Sequence, residues 1–155
     1  SKNVEKAKNI FWNNLGNLVS NKYEIQPVTA IDKLTNFYSQ AILTDGVILE
    51  KRKENLIIRV KLSDLNDDID CFRSHSGYFS EYHASSLMEI SKIINKRYQT
   101  LSYYGFTKKY LETVVCKIEP TGIDRIIPIG RTTEFSTVWD GYELINTLSR
   151  RVEII

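Results

Sequence analysis

The chain has 155 residues, a net charge of +2, 42% hydrophobic and 26% charged residues. That length suits one soluble globular domain burying roughly 68–70% of its unfolded surface, and the composition excludes collagen-like, strongly disordered and disulfide-scaffold classes. The basic residues are spread out, with Lys51-Arg52-Lys53 and Lys108-Lys109 as the short clusters, so the stripe that nucleic acid demands is missing and no nucleic-acid partner is expected. No apolar run reaches the roughly 20 residues of a membrane span, and Ser1 to Lys6 carries no secretory core, so a cytoplasmic location is expected. Cys71 and Cys116 lack a Cys-x-x-Cys spacing and read as reduced thiols. Ser1 stands where an initiating Met would, which raises the expectation of either a processed terminus or a chain cut from a longer protein.

Val4, Ala7, Ile10, Phe11, Leu15, Leu18 and Val19 recur at three- and four-residue steps and predict an amphipathic helix. Pro27 comes after a short extended stretch, and Thr29 reads as the N-cap of a second helix with Ile31, Leu34, Tyr38, Ala41 and Ile42 as its apolar stripe. Val47 to Leu49, a polar turn from Lys51 to Asn55, and Leu56 to Leu62 predict a hairpin. Asp64, Asp67, Asp68 and Asp70 form an acidic loop without the turn glycine and closing glutamate of a calcium loop, so no metal is expected.

Tyr78 to His83 reads as a strand, with His83 a packed residue. Ser86-Leu87-Met88-Glu89 has capping-box spacing and predicts a helix start. A strand over Gln99 to Tyr104, a helix over Lys108 to Ile118 and a strand over Asp124 to Ile129 then alternate, which points to βαβ units and parallel pairing. Trp139 to Leu148 is expected as the last helix and Arg150 to Ile155 as the last strand. The fold class is therefore α/β, a mixed, partly parallel sheet flanked by helices, in one domain or fragment over 1–155.

A thiolate can attack a thioester and hold the acyl group covalently, which makes the cysteines the first catalytic candidates. Cys116 falls among Val114 and Val115 and is expected in the core. Cys71 lies four residues before His75, a pair that could activate a thiol if the two side chains converge. No Gly-x-Gly-x-x-Gly, Walker loop, Gly-x-Ser-x-Gly or His-Glu-x-x-His occurs. Tyr103, Tyr104, Phe106, Phe135 and Trp139 are aromatic clusters at turns, suited to packing or to a ligand platform. Arg125, Arg131, Arg150 and Arg151 could hold an anion or pair with Asp140 and Glu153.

Three segments occur in order: Gln99-Thr100-Leu101-Ser102-Tyr103, Gly122-Ile123-Asp124-Arg125-Ile126-Ile127-Pro128-Ile129-Gly130-Arg131, and Phe135-Ser136-Thr137-Val138-Trp139-Asp140-Gly141-Tyr142. Together they resemble the C-terminal signature of the LuxC-type acyl-CoA reductases, a branch of the aldehyde dehydrogenase superfamily. The stretch from Ile10-Phe11-Trp12 through Ala30-Ile31-Asp32-Lys33 is similar in pattern to the region after the nucleophile segment in that family.

The resemblance implies a partial aldehyde-dehydrogenase-like catalytic domain. It implies reduction of a fatty acyl-CoA, or an acyl group delivered by a protein, to an aldehyde through a cysteine-bound thioester, with NADPH or NADH as hydride source in the full-length enzyme. The family's nucleophile stands in a Cys-Ser-Ser-Pro-like context that neither Cys71 nor Cys116 shares, so the chain alone is expected to lack catalysis and to bind no cofactor by itself. Arg131, Trp139 and Asp140 are the substrate-side candidates, and Arg150 to Ile155 is expected to pair in an oligomerisation sheet, giving a homo-oligomer. Two other readings remain: a non-catalytic module of the same half-fold that contacts an acyl-transfer partner, and a stand-alone thiol enzyme using Cys71 and His75.

Overall fold

The computed structural model describes residues 2–50 and 55–155. It is a mixed helix and sheet protein whose chain divides into two compact units, up to Ala84 and from Ser85.

The first unit opens with helix α1, Lys2–Lys22, and helix α2, Pro27–Leu43. Pro27 at the first helical position has no N–H to leave unsatisfied, and extended Gln26 precedes it, so α2 starts before the expected Thr29 cap. Strands β1 (Ile48–Leu49), β2 (Ile58–Lys61) and β3 (Tyr78–Glu81) form one sheet in that order. β1 runs antiparallel to β2, with Leu49 opposite Val60, as the hairpin expectation required; its turn, Lys51 to Glu54, lies outside the described residues. β2 and β3 are parallel, with Ile58 opposite Tyr78, and the chain between them carries a 3-10 turn at Ile69–Phe72. Parallel neighbours need such a crossover.

Alternation along β2 buries Ile58 and Val60 completely. With Phe37 of α2, Leu62 and Tyr78 they make the core of this unit. Full burial of each such aliphatic side chain contributes about 1.5–3 kcal/mol. The opposite side of the strands holds Arg59, whose Nε donates to Glu81 Oε1 at 2.5 Å across the diagonal of the parallel pair. Lys8 Nζ lies 3.2 Å from Glu81 Oε2, and the Arg59 guanidinium sits 4.5 Å from the centre of the Trp12 ring. Trp12 also meets Phe79 edge-on at 5.1 Å. α1 is thus fastened through Lys8, Trp12, Leu15, Gly16 and Val19. The expected stripe is rotated, and Ile10, Phe11 and Leu18 are 52%, 41% and 49% exposed.

The second unit begins with the 3-10 turn Leu87–Lys92, where Ser86 accepts from the Met88 amide at 3.2 Å and Glu89 accepts from the Ser86 amide at 3.1 Å. The capping box is there, on a tighter helix than expected. Strand β4 (Thr100–Tyr103), helix α3 (Lys108–Ile118) and strand β5 (Arg125–Pro128) form a βαβ unit whose strands are parallel, Leu101 opposite Ile126. Thr107 caps α3 by accepting from the Tyr110 amide, and Glu119 ends it in the left-handed region at φ 48°. Leu111 and Val114 are buried and, with Leu101 of β4 and Ile126 of β5, line a residual hole of about 10 Å³. Gly122 is required by close approach: a Cβ there would lie 2.0 Å from the Asn95 carbonyl oxygen.

The last segment departs from expectation. Trp139 to Leu148 is no single helix: β6 (Val138–Trp139) and β7 (Tyr142–Glu143) form a hairpin, and α4 covers only Leu144–Leu148. Asp140 and Gly141 have φ 49° and 79°, the two positive dihedrals of a type I′ turn, for which Asp-Gly is a preferred pair. Arg150 to Ile155 pairs with no strand among the described residues and is exposed throughout.

Burial opposes ionisation of Glu81, but hydrogen bonds and charge from Arg59 and Lys8 outweigh it and hold its pKa below the usual 4.5. The folded pKa being the lower one, the stabilisation is complete above 4.5 and is lost as pH falls through the folded value. Urea unfolding monitored from neutral to acid pH should show this loss, and Glu81→Gln should be less stable at neutral pH with a flatter acid limb.

Candidate functional site

A cavity of about 480 Å³ opens in the first unit. Its walls come from the end of α1 (Val19), the extended link Tyr23 to Gln26, Thr29 in the first turn of α2, and Leu56, Ser76, Gly77 and Phe79 around the sheet.

The backbone that forms this wall is held by a lysine. Lys33 is completely buried, and its Nζ donates to the carbonyl oxygens of Leu56 at 3.1 Å and Ser76 at 2.8 Å and to that of Asn55. An ammonium has three donors, so three carbonyls satisfy it. One of them belongs to a strained residue: Ser76 has φ 59° and precedes Gly77 at φ 85°. A Cβ on Gly77 would lie 2.4 Å from the Leu56 carbonyl oxygen, so this turn closes against the chain leading into β2 and only glycine fits. Seven residues after Lys33, also completely enclosed, Gln40 accepts from the Tyr78 hydroxyl at 2.7 Å. Burial raises the Tyr78 pKa to about 12, opposed by a hydrogen bond from Asn36.

Sequence reasoning placed its candidates elsewhere. Cys71 and His75 are both exposed; the Cys71 Sγ lies 3.9 Å from Asp70 Oδ1, and among the described residues no hydrogen bond joins it to His75. His83 lies beyond β3 and is exposed, not packed, because the strand ends at Glu81. Cys116 is exposed on α3, since the buried stripe of that helix passes through Leu111 and Val114 instead. Among the described residues no group of His, Cys, Asp or Glu could hold a metal ion, and no helix is long and apolar enough to cross a membrane.

In the second unit, Arg131 makes a bidentate pair with Glu134 at 2.7 and 2.6 Å, an exposed pairing that raises the arginine pKa and lowers the glutamate one. Arg131 thus pairs with Glu134, not with the Asp140 or Glu153 expected from the sequence. The Arg125 guanidinium lies 4.8 Å from the Trp139 ring centre and donates to the Thr132 carbonyl at 2.9 Å and to that of Glu134. Phe135 stacks on Trp139 at 5.8 Å. Trp139 and Asp140 therefore serve the hairpin, one as its aromatic anchor and one as its turn residue.

The 480 Å³ cavity suits a compact ligand with an apolar body. Its described lining carries the Glu24 carboxylate and no lysine or arginine, which does not fit the pyrophosphate of a nicotinamide dinucleotide. A second groove over Trp12 contains Lys8, Arg59 and Lys61, but Lys8 and Arg59 are both engaged by Glu81. No family model, no curated protein and no solved structure matches the chain.

Sequence reasoning missed Lys33 and Gln40. Their signal was the spacing Ala30, Lys33, Phe37, Gln40, a helical face that contains only one large apolar residue. Lys33→Met should cost about 3 kcal/mol or more, since each buried carbonyl left unpaired is worth roughly 1–3 kcal/mol, and urea unfolding measures it. The raised Tyr78 pKa adds a basic limb. Stability from this phenol should be complete below 10.0 and fall as pH rises toward about 12, and Tyr78→Phe should flatten that limb.

Proposed function

We propose that the chain is the C-terminal portion of an acyl-CoA reductase of the LuxC type, supplying the distal part of an aldehyde-dehydrogenase-like catalytic domain. The full-length enzyme would convert a fatty acyl thioester to an aldehyde through an acyl group carried on a cysteine, with NADPH or NADH as hydride donor, in the cytoplasm. Nucleophile and dinucleotide are assigned to the part of that enzyme outside this sequence, in keeping with the poor fit of the described cavity to a dinucleotide and with the absence of a Cys-Ser-Ser-Pro context at Cys71 and Cys116.

What supports the reading is that the three signature segments converge physically. Gln99 to Tyr103 runs through β4, Gly122 to Arg131 through β5 beside it, and Phe135 to Tyr142 through the hairpin. Arg125 of the second segment packs on Trp139 of the third. By this reading their role is to frame and brace a catalytic domain. Arg150 to Ile155, exposed and in no strand among the described residues, would become a strand only by pairing with a neighbouring copy's sheet in the homo-oligomer.

A chimera tests this directly: residues 1–155 replace the corresponding distal segment of a LuxC-type reductase, and acyl-CoA-dependent NAD(P)H oxidation and aldehyde release are measured. The chimera should make aldehyde, and the 155-residue chain alone should not. A well-folded but inactive chimera, or NAD(P)H consumption by the chain alone, overturns the reading.

A further inference from the structure

The 480 Å³ cavity of the first unit has a wall whose shape is imposed on the chain. Ser76 is held at φ 59°, which a side chain disfavours, and Gly77 follows it against the Leu56 carbonyl, where a Cβ would not fit. Lys33 fixes the turn through the carbonyl oxygens of Ser76 and Leu56. A wall fixed in advance favours binding, because little ordering remains to be lost when a ligand arrives.

The lining divides by chemistry. Val19, Ile25 and Leu56 are half-buried apolar side chains able to cover an apolar body. Tyr23 and Phe79 are 64% and 36% exposed, so both rings keep uncovered surface although Phe79 meets Trp12. Glu24 is the one charged side chain of the described lining, and among the described residues no lysine or arginine pairs with it.

Two positive features also border this region, the N-terminus of α2 and the Lys33 ammonium. A helix end is equivalent to about half a charge, and the Lys33 donors are taken up by carbonyl oxygens whose dipoles point at them. The full charge of the Glu24 carboxylate therefore sets the sign of the ligand group that it meets.

We propose that the cavity binds a small organic amine, a protonated ammonium on a short tether to a flat apolar ring. The ammonium pairs with Glu24, and the ring packs on Val19, Ile25 and Leu56. The faces of Tyr23 and Phe79 add ring contacts and cation–π attraction. Apolar burial supplies most of the affinity, and the charge-assisted bond supplies orientation and selectivity for a cation. A carboxylate in place of the ammonium would meet Glu24 as a like charge. The proposal is independent of the reductase reading.

Tryptamine and the smaller phenethylamine have this combination, while indole-3-propionate and tryptophol join the indole ring to a carboxylate and to a hydroxyl. Each is titrated into the full nitrogen-15-labelled chain at neutral pH and followed by amide NMR shifts. At least one of the two amines should bind saturably, with shifts centred on Val19, Ile25, Thr29 and Gly77. Tryptophol should bind about tenfold more weakly than tryptamine, and indole-3-propionate not measurably. Glu24→Gln should raise the amine Kd about tenfold with unchanged circular dichroism, and Glu24→Lys should abolish binding. Glu5→Gln, in the separate groove over Trp12, should leave the Kd unchanged. Failure of both amines to bind saturably, shifts centred away from the cavity, indole-3-propionate binding as tightly as tryptamine, or a Kd insensitive to Glu24→Gln each overturns the proposal.

Discussion

The interaction on which the first unit depends is the enclosure of the Lys33 ammonium by backbone carbonyls. A charged group without water is tolerated only when its donors are satisfied, and here the acceptors come from two separated places, Asn55 and Leu56 before β2 and Ser76 before β3. One side chain on α2 therefore ties the entrances of two parallel strands together. β2 and β3 run side by side from those points, with Ile58 opposite Tyr78. The left-handed pair Ser76-Gly77, unfavourable by itself, is held in place by the same bonds. The wall of the 480 Å³ cavity results from this arrangement, because Leu56, Ser76 and Gly77 form part of it.

Much of the second unit could be read from the sequence because its local signals agree with its tertiary structure. Short β-rich segments on either side of one helical segment specify β4, α3 and β5, although the buried stripe of α3 runs through Leu111 and Val114 and leaves Cys116 outside it. The capping box at Ser86 was equally legible. The hairpin was misread because Trp139 to Leu148 contains enough apolar residues at helical steps to suggest a helix, whereas Asp140-Gly141 acts first and turns the chain back. Arg150 to Ile155 has a strand's alternation and no partner strand among the described residues, and periodicity alone does not make a sheet.

The first unit was less legible for the opposite reason. In α1 and α2 apolar residues are plentiful on more than one face, so counting them cannot say which face packs inward. In α2 the decision is made by hydrogen bonding: Lys33 and Gln40 find buried partners, and Ile31, Tyr38 and Ile42 turn outward as a result. The candidate site was missed with it, since a lysine among helix residues reads as solvated charge. The cysteine and histidine candidates were chosen by chemical type, and their exposure shows that neighbouring positions in a loop need not converge.

The Lys33 enclosure can be observed without altering the chain, by nitrogen-15 NMR of the lysine side chains. One ammonium signal should be protected from solvent exchange, with couplings across hydrogen bonds to the carbonyl carbons of Leu56 and Ser76. Uniformly fast exchange of all lysine ammonium groups, with no such couplings, would contradict the enclosure.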